Sequence, residues 1–265
     1  MDMPRNRLKQ ALLRKELQVG LFLGLANPLT AEIMAGCGFD FLMIDAEHGP
    51  NDVRSVLTQL QATAAYPVNM LVRPPNHDPA LIKQLLGAGV QTLLVPMVNS
   101  GEQAQALVAA VRYPPAGMRG VGTAIERGAH WNGVENYFAH ADNEMCLIAQ
   151  VESQEGLNAL DDILNVDGVD GVFLGPADLA ASLGHLGQPG HPEVRAVIEE
   201  ALARIAAAGK IAGVFSTDVA AARNYQERGA CFIAIGVDTL ILRNAALRLA
   251  SEFKGPSVGK AGASY

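Results

Sequence analysis

Short apolar runs recur along the chain, and each is followed by a longer stretch whose apolar residues fall at helical spacing. The runs lie at 18–23, 41–44, 68–72, 92–95, 145–151, 170–174, 211–215 and 231–235. They are nearly continuous in Val, Leu, Ile and Ala, with little polar alternation. Strands buried on both faces of a parallel sheet have this pattern. Helical periodicity predicts a short leading helix at 4–17, then helices at 29–35, 51–65, 79–88, 101–111, 154–163, 192–208, 218–228 and 238–253. Asn51 or Asp52 supplies an N-cap, and Pro79 opens its helix as first-turn prolines do.

Strand and helix alternate eight times over roughly 235 residues, close to the usual length of a (β/α)8 barrel. A doubly wound open sheet normally uses fewer strands. No linker interrupts the 265 residues, so one domain over 1–265 is expected. The Gly- and Ser-rich end, 255–265, reads as a flexible tail. The longest irregular stretch, 113–131, contains PPAGMRGVG, and loops of that length in a compact domain usually meet a ligand or a partner.

Composition narrows the picture. Hydrophobic residues make up 49% and aromatic residues only 5%, which predicts an aliphatic core between layers. A net charge of −7 without a basic stripe argues against nucleic acid as a partner. No apolar run is long enough to span a membrane, and 1–16 is polar and basic without the apolar centre of a signal peptide, so a cytoplasmic protein is expected. Cys37, Cys146 and Cys231 lie far apart and read as reduced, buried thiols, with no CxxC zinc spacing.

A barrel carries all strand C-termini to one rim, where such folds keep their chemistry. Asp45, Glu47, His48, Arg73, Gln150, Glu152 and Asp178 converge there. Glu152 and Asp178 follow successive strands, the second through a loop at Gly175-Pro176-Ala177-Asp178. Two converging carboxylates can hold a divalent cation, although each can equally cap a helix or a turn. His48 follows Asp45 by three residues. A carboxylate beside an imidazole fixes its tautomer and raises its basicity, giving an acid/base pair, and the bland alternative is a loop histidine bonded to backbone. Arg73 ends an apolar strand, where a guanidinium grips a substrate carboxylate, pairs with Asp45 or Glu47, or does both. Gln150 orients a substrate or bonds backbone. The bend at Gly175, Pro176 and Ala177 exposes N–H groups from Ala177 onward that can hold a carboxylate. GMRGVG matches no phosphate-binding signature. His77, His130, His140, His185 and His191 lack ligand-like spacing and read as structural or exposed, and Trp131 reads as a packing or interface residue. Together, a cation, an arginine and a histidine–aspartate pair enolise a small 2-oxo acid. These parts leave open whether cleavage, isomerisation or decarboxylation follows.

The segments FDFLMIDAEHGPND, VRP, QTLLVPMV, RYPPAGMRGVG, QVES and GVDGVFLGPADLAASLG occur in that order. As a set they resemble the HpcH/HpaI family of 4-hydroxy-2-oxoheptane-1,7-dioate aldolases, over residues 17–249. The resemblance implies a (β/α)8 TIM barrel of the phosphoenolpyruvate/pyruvate superfamily. It also implies an eighth helix exchanged within a dimer, and a homo-hexamer built as a trimer of dimers. It implies a class II carbon–carbon lyase of aromatic catabolism that splits 4-hydroxy-2-oxo acids reversibly into pyruvate and an aldehyde. Sugar-derived 2-keto-3-deoxy acids and hydroxypyruvate-type donors are related possibilities, and oxaloacetate decarboxylation on the same site is the alternative. Glu152 and Asp178 would bind Mg²⁺, Mn²⁺ or Co²⁺. Arg73, Gln150 and the backbone around Gly175, Pro176 and Ala177 would hold pyruvate, and His48 with Asp45 would move the proton. Relatives can carry Trp at the position of Phe22 and a smaller aliphatic residue at that of Phe215. Both are expected to reshape the aldehyde pocket toward small or hydroxylated aldehydes.

Overall fold

Side-chain parity along the strands decides what the molecule encloses. The computed structural model describes residues 1–255, so the tail beyond Gly255 lies outside the described residues. Eight strands, β1 (Gln18–Leu23), β2 (Phe41–Asp45), β3 (Asn69–Arg73), β4 (Thr92–Val95), β5 (Cys146–Val151), β6 (Gly171–Leu174), β7 (Ile211–Phe215) and β8 (Phe232–Val237), pair in parallel in sequence order and close β8 on β1. Twelve helices lie among them: α1 (Arg7–Leu13), α2 (Pro28–Ala35), α3 (Val53–Ala62), α4 (Pro79–Gly87), α5 (Gly101–Val111), α6 (Tyr137–His140), α7 (Gln154–Asn158), α8 (Leu160–Leu164), α9 (Pro176–Ser182), α10 (Pro192–Ala207), α11 (Val219–Glu227) and α12 (Asp238–Lys254). This is a (β/α)8 barrel. No described helix is long and apolar enough to cross a membrane.

Alternate residues of each strand face opposite layers. Leu42, Ile44, Val72, Leu147, Ala149, Val172 and Leu174 face the helices in the outer apolar layer. Phe41, Met43, Leu71, Cys146, Ile148, Phe173 and Phe232 fill the interior. Phe232 packs on Phe41 with ring centroids 4.5 Å apart and on Phe173 at 5.5 Å. Gly213 is required beside them, because a Cβ there would come within 2.6 Å of the Phe173 ring. Leu8 and Leu12 of α1 belong to the same interior cluster and close the end where the strands begin. The same parity, continued one step past the apolar layers, turns Asp45, Arg73 and Gln150 into the opposite mouth.

Several elements depart from the sequence reading. α1 is shorter than 4–17, because Asn6 caps it by accepting a hydrogen bond from the Lys9 amide and the chain reverses at Lys15, with φ 60°. The helix expected at 154–163 breaks at Ala159 into α7 and α8. The loop expected at 175–178 is the start of α9, with Gly175 as N-cap and Pro176 at the first position. Cys37 is exposed, while Cys146 and Cys231 are buried as expected. The stretch 113–131 carries only one 3-10 turn, Arg127–Ala129, yet it has a small core of its own. The buried Arg119 guanidinium lies 4.4 Å over the Tyr113 ring and reaches the Tyr137 hydroxyl at 3.3 Å.

One buried carboxylate joins both ends of the barrel closure. Asp238, at the start of α12, accepts hydrogen bonds from the amides of Gly24 (2.8 Å), Leu25 (3.2 Å) and Thr239 (2.7 Å). Removing it strands three part-buried N–H groups, each costing up to about 1–3 kcal/mol. Asp238→Ala is therefore expected to destabilise the protein by about 2–4 kcal/mol in urea denaturation, and Asp238→Asn by less.

Candidate active site

The mouth of the barrel holds a chain of hydrogen bonds from β2 to the end of β5. Asp45 and Arg73 are register partners at the ends of β2 and β3. They form a bidentate pair: Arg73 Nε donates to Asp45 Oδ1 at 2.9 Å and Nη2 to Oδ2 at 2.7 Å. Arg73 Nη1 reaches Gln150 Oε1 at 3.5 Å, and Gln150 Nε2 donates to Glu152 Oε2. The Met97 amide donates to Glu152 Oε1 at 2.9 Å. Asp45, Arg73, Gln150 and Glu152 are all buried. Gly175 is the floor beside them, because a Cβ there would collide with Glu152 Oε2 and lie 3.0 Å from Gln150 Nε2. Phe22 supports the arginine from below, with its ring centroid 4.8 Å from Cζ. Phe215 meets the Phe22 ring edge-on at 5.3 Å, so these two phenylalanines form one wall.

The histidine is placed differently from the sequence expectation. Asp45 does not touch the His48 imidazole. Both its oxygens are on Arg73, and Oδ1 also accepts the backbone amides of Glu47 (3.1 Å) and His48 (3.4 Å). A buried guanidinium needs its carboxylate more than a half-solvated imidazole does. The imidazole is 66% exposed at the lip, and its nearest carboxylate is Glu47, with Nε2 3.8 Å from Oε2. Glu47 Oε2 also lies 3.0 Å from Arg73 Nη1, a charge contact in which the N–H is not aimed at the oxygen. That buried oxygen accepts no hydrogen bond among the described residues.

Burial penalises ionisation throughout this mouth. Glu152 is pushed up to about 7 by desolvation, with the Met97 hydrogen bond opposing and the Glu47 and Asp178 charges adding. Glu47 moves upward, again chiefly by burial, against the pull of Arg73 and His48. For Arg73, burial opposes the charge, but Asp45, Glu47 and Glu152 outweigh it and its pKa rises. Asp178, exposed in the first turn of α9, is close enough for its charge to be felt at both Glu47 and Glu152. Asp45, Glu47 and Glu152 thus share one guanidinium, with the Asp178 charge close by. This excess of carboxylate oxygen, with one buried oxygen unbonded, is a donor set that suits a hard divalent cation.

Two features escaped the sequence reading. Met97 contributes through its amide, held by a left-handed φ of 53°, and no side-chain pattern signals that. His185 and His191 do meet, contrary to expectation. Their rings stack at 3.7 Å, and His185 Nε2 is 2.9 Å from Glu193 Oε2, the one His/carboxylate group with metal-like spacing among the described residues. Near-parallel rings, 16° apart, send their lone pairs side by side rather than to a common point, and His191 Nδ1 already accepts the Glu193 amide at 3.3 Å.

A raised carboxylate ties stability to pH. Folded Glu152 holds its proton more tightly than unfolded Glu152, so its cost is absent below the ordinary carboxylate range and grows as pH rises to about 7. In chelator-treated protein, Glu152→Gln is expected to be about 1–3 kcal/mol more stable than wild type at pH 8 and no more stable at pH 4. Thermal denaturation at the two pH values checks this.

Comparison with known proteins agrees with the fold. The HpcH/HpaI aldolase/citrate lyase family model matches residues 18–245. A hydroxypyruvate/pyruvate aldolase of Pseudomonas aeruginosa is 58% identical over 255 residues, 96% of this chain and 95% of that protein. A 4-hydroxy-2-oxo-heptane-1,7-dioate aldolase of Salmonella heidelberg is 53% identical, over 94% of this chain and 95% of that one. Among solved structures, an HpcH/HpaI aldolase/citrate lyase family protein of Burkholderia cenocepacia superposes with a TM-score of 0.90 at 40% identity, covering 94% of this chain and 99% of that one. The chain belongs to the HpcH/HpaI aldolase/citrate lyase family.

Proposed function

We propose that the protein is a metal-dependent class II aldolase that splits 4-hydroxy-2-oxo acids reversibly into pyruvate, or hydroxypyruvate, and an aldehyde. The observation that carries this reading is the rigid line Asp45–Arg73–Gln150–Glu152 across the barrel mouth. It sets a guanidinium and a buried carboxylate in one hydrogen-bonded line at the barrel mouth. Relatives named hydroxypyruvate/pyruvate aldolase and 4-hydroxy-2-oxo-heptane-1,7-dioate aldolase support it.

Glu152 and Asp178 would hold Mg²⁺, Mn²⁺ or Co²⁺, which supplies Lewis-acid polarisation of the 2-oxo group. Arg73, locked by Asp45 so that Nη1 remains toward the mouth, stabilises the oxyanion as C3–C4 breaks and the electron pair enters the enolate. Gln150 fixes the spacing between Arg73 and Glu152. The substrate carboxylate would lie against the first free amides of α9, from Ala177 on, since Pro176 has none. His48 at the lip accepts the proton of the 4-hydroxyl during cleavage and returns it during synthesis. Phe22 and Phe215 close one wall and favour small or hydroxylated aldehydes over a long semialdehyde.

The assembly reading follows from α12. Only Asp238 of this helix is buried, and Ile241, Leu242, Leu249 and Phe253 are exposed. An apolar helix face left uncovered in the monomer fits exchange with a second copy in a dimer, three of which would make the hexamer.

The exposed imidazole favours keeping one second reading. Oxaloacetate decarboxylation needs the cation and Arg73 but no proton from a 4-hydroxyl. Protein stripped with chelator and given pyruvate plus a panel of aldehydes is expected to form new 4-hydroxy-2-oxo acids only when Mn²⁺ or Mg²⁺ is restored. Adducts formed without metal would point to a Schiff-base lysine instead. His48→Ala is expected to lose aldol cleavage by about 10²-fold or more while keeping most oxaloacetate decarboxylation, measured as pyruvate release from each substrate.

A further inference from the structure

The segment between α5 and β5 closes a cavity at the end of the barrel where the strands begin, away from the mouth. Gln91 and Met145, which directly precede β4 and β5, line this cavity. Its volume is about 170 Å³, several times what one water needs. Its charged side chains are Arg119 and Arg127, with His130 beside them, and no Asp or Glu among the described residues lines it. Arg119 is 2% exposed. Its side chain makes one hydrogen bond, from Nη2 to the Tyr137 hydroxyl at 3.3 Å, so neither Nε nor Nη1 has a partner among the described residues. The nearest carboxylate, Glu126, stands 3.7 Å off with Oε2, an oxygen that also accepts from the Tyr113 hydroxyl at 3.4 Å. Arg127 spends one N–H on the Ala88 carbonyl, at 3.2 Å, and has no ion pair among the described residues.

Two glycines bring the guanidinium groups around one space. A Cβ on Gly89, whose φ is 105°, would come within 2.8 Å of Arg127 Nη1. A Cβ on Gly128 would lie 3.4 Å from the Tyr137 hydroxyl, the group that Arg119 touches. Two cations around a void, with one shared carboxylate to answer them, leave positive charge and N–H groups unspent. Leaving such donors unmatched in a buried setting is costly, and the planar fork of a guanidinium matches the oxygens of a carboxylate or a phosphate. We propose that this cavity is a binding site for a small oxyanion, a phosphate or a short dicarboxylate, held between Arg119 and Arg127. The anion ties the segment 113–141 to the end of α4 and the start of β4. It takes no part in the chemistry at the mouth, so the site stands or falls independently of the aldolase reading.

The chain carries its own reporter. Trp131 is its one tryptophan, and its ring centroid lies 6.4 Å from that of His130 at the cavity. The full-length protein is titrated with inorganic phosphate and, separately, with malonate, followed by Trp131 fluorescence and by calorimetry. A saturable change with a Kd below about 1 mM is expected for at least one of them. Tighter phosphate assigns the site to a phosphoryl anion, and tighter malonate to a dicarboxylate. Arg127→Gln is expected to weaken that binding about tenfold or more, because it removes a charge-assisted contact. Arg127→Lys, which keeps the charge and loses the fork, is expected to fall between the two. If neither anion gives a saturable signal, the proposal is overturned. An unchanged Kd in Arg127→Gln also overturns it, since the anion is then bound elsewhere, such as at Arg73 in the mouth. Should Arg127→Gln fail to fold, Arg127→Lys decides, and a Kd equal to that of the wild type rules the site out.

Discussion

A guanidinium is buried at the mouth of the barrel, and the requirement that its charge be matched organises everything around it. An unpaired Arg73 in that position would cost several kcal/mol, which no single apolar contact restores. Asp45 answers it with two aligned hydrogen bonds from the neighbouring strand, where the parallel register sets the two residues side by side. With that pair fixed, Phe22 can lie under the guanidinium, and Gln150 can extend the line to Glu152. The histidine must then take what is left, and what is left is Glu47.

The site carries costs that the rest of the fold sustains. Glu152 is held where burial disfavours its charge, and Met97 adopts a left-handed backbone to reach it, a strain of about 1–2 kcal/mol for a residue with a Cβ. Beneath them the barrel is conventional. Phe41, Phe173 and Phe232 interlock in the interior, aliphatic side chains fill the layer under the helices, and α1 seals the far end. The closed sheet presents Asp45, Glu47 and Glu152 around one arginine above this apolar interior. Asp238 stands apart from that group, since its oxygens are spent on backbone amides where β8 returns to β1.

The surface divides in a similar way. α12 leaves its apolar residues uncovered, and the stretch 113–131 shows Met118, Val121, Ile125 and Trp131 outward while Arg119 and Tyr113 hold it from within. An irregular segment with its own buried ion pair and aromatic contacts keeps a shape, so its outward apolar residues form a surface rather than a loose tether.

The sequence alone determined the strands, most of the helices, their alternation and the set of polar residues at the strand ends. Periodicity, strand length and turn residues are local, and a parallel barrel has one place for the residues that follow each strand. Arg73, Gln150 and Glu152 were legible because each breaks an apolar run at the step where parity points inward. Only the tertiary structure decided which of these groups bind each other. The choice between Asp45 and Glu47 as the partner of His48 turns on the register of β2 against β3 and on the larger cost of burying a guanidinium unpaired. The amide of Met97 and the stacked pair His185–His191 depend on backbone positions brought together by packing, which leave no mark in residue type or spacing.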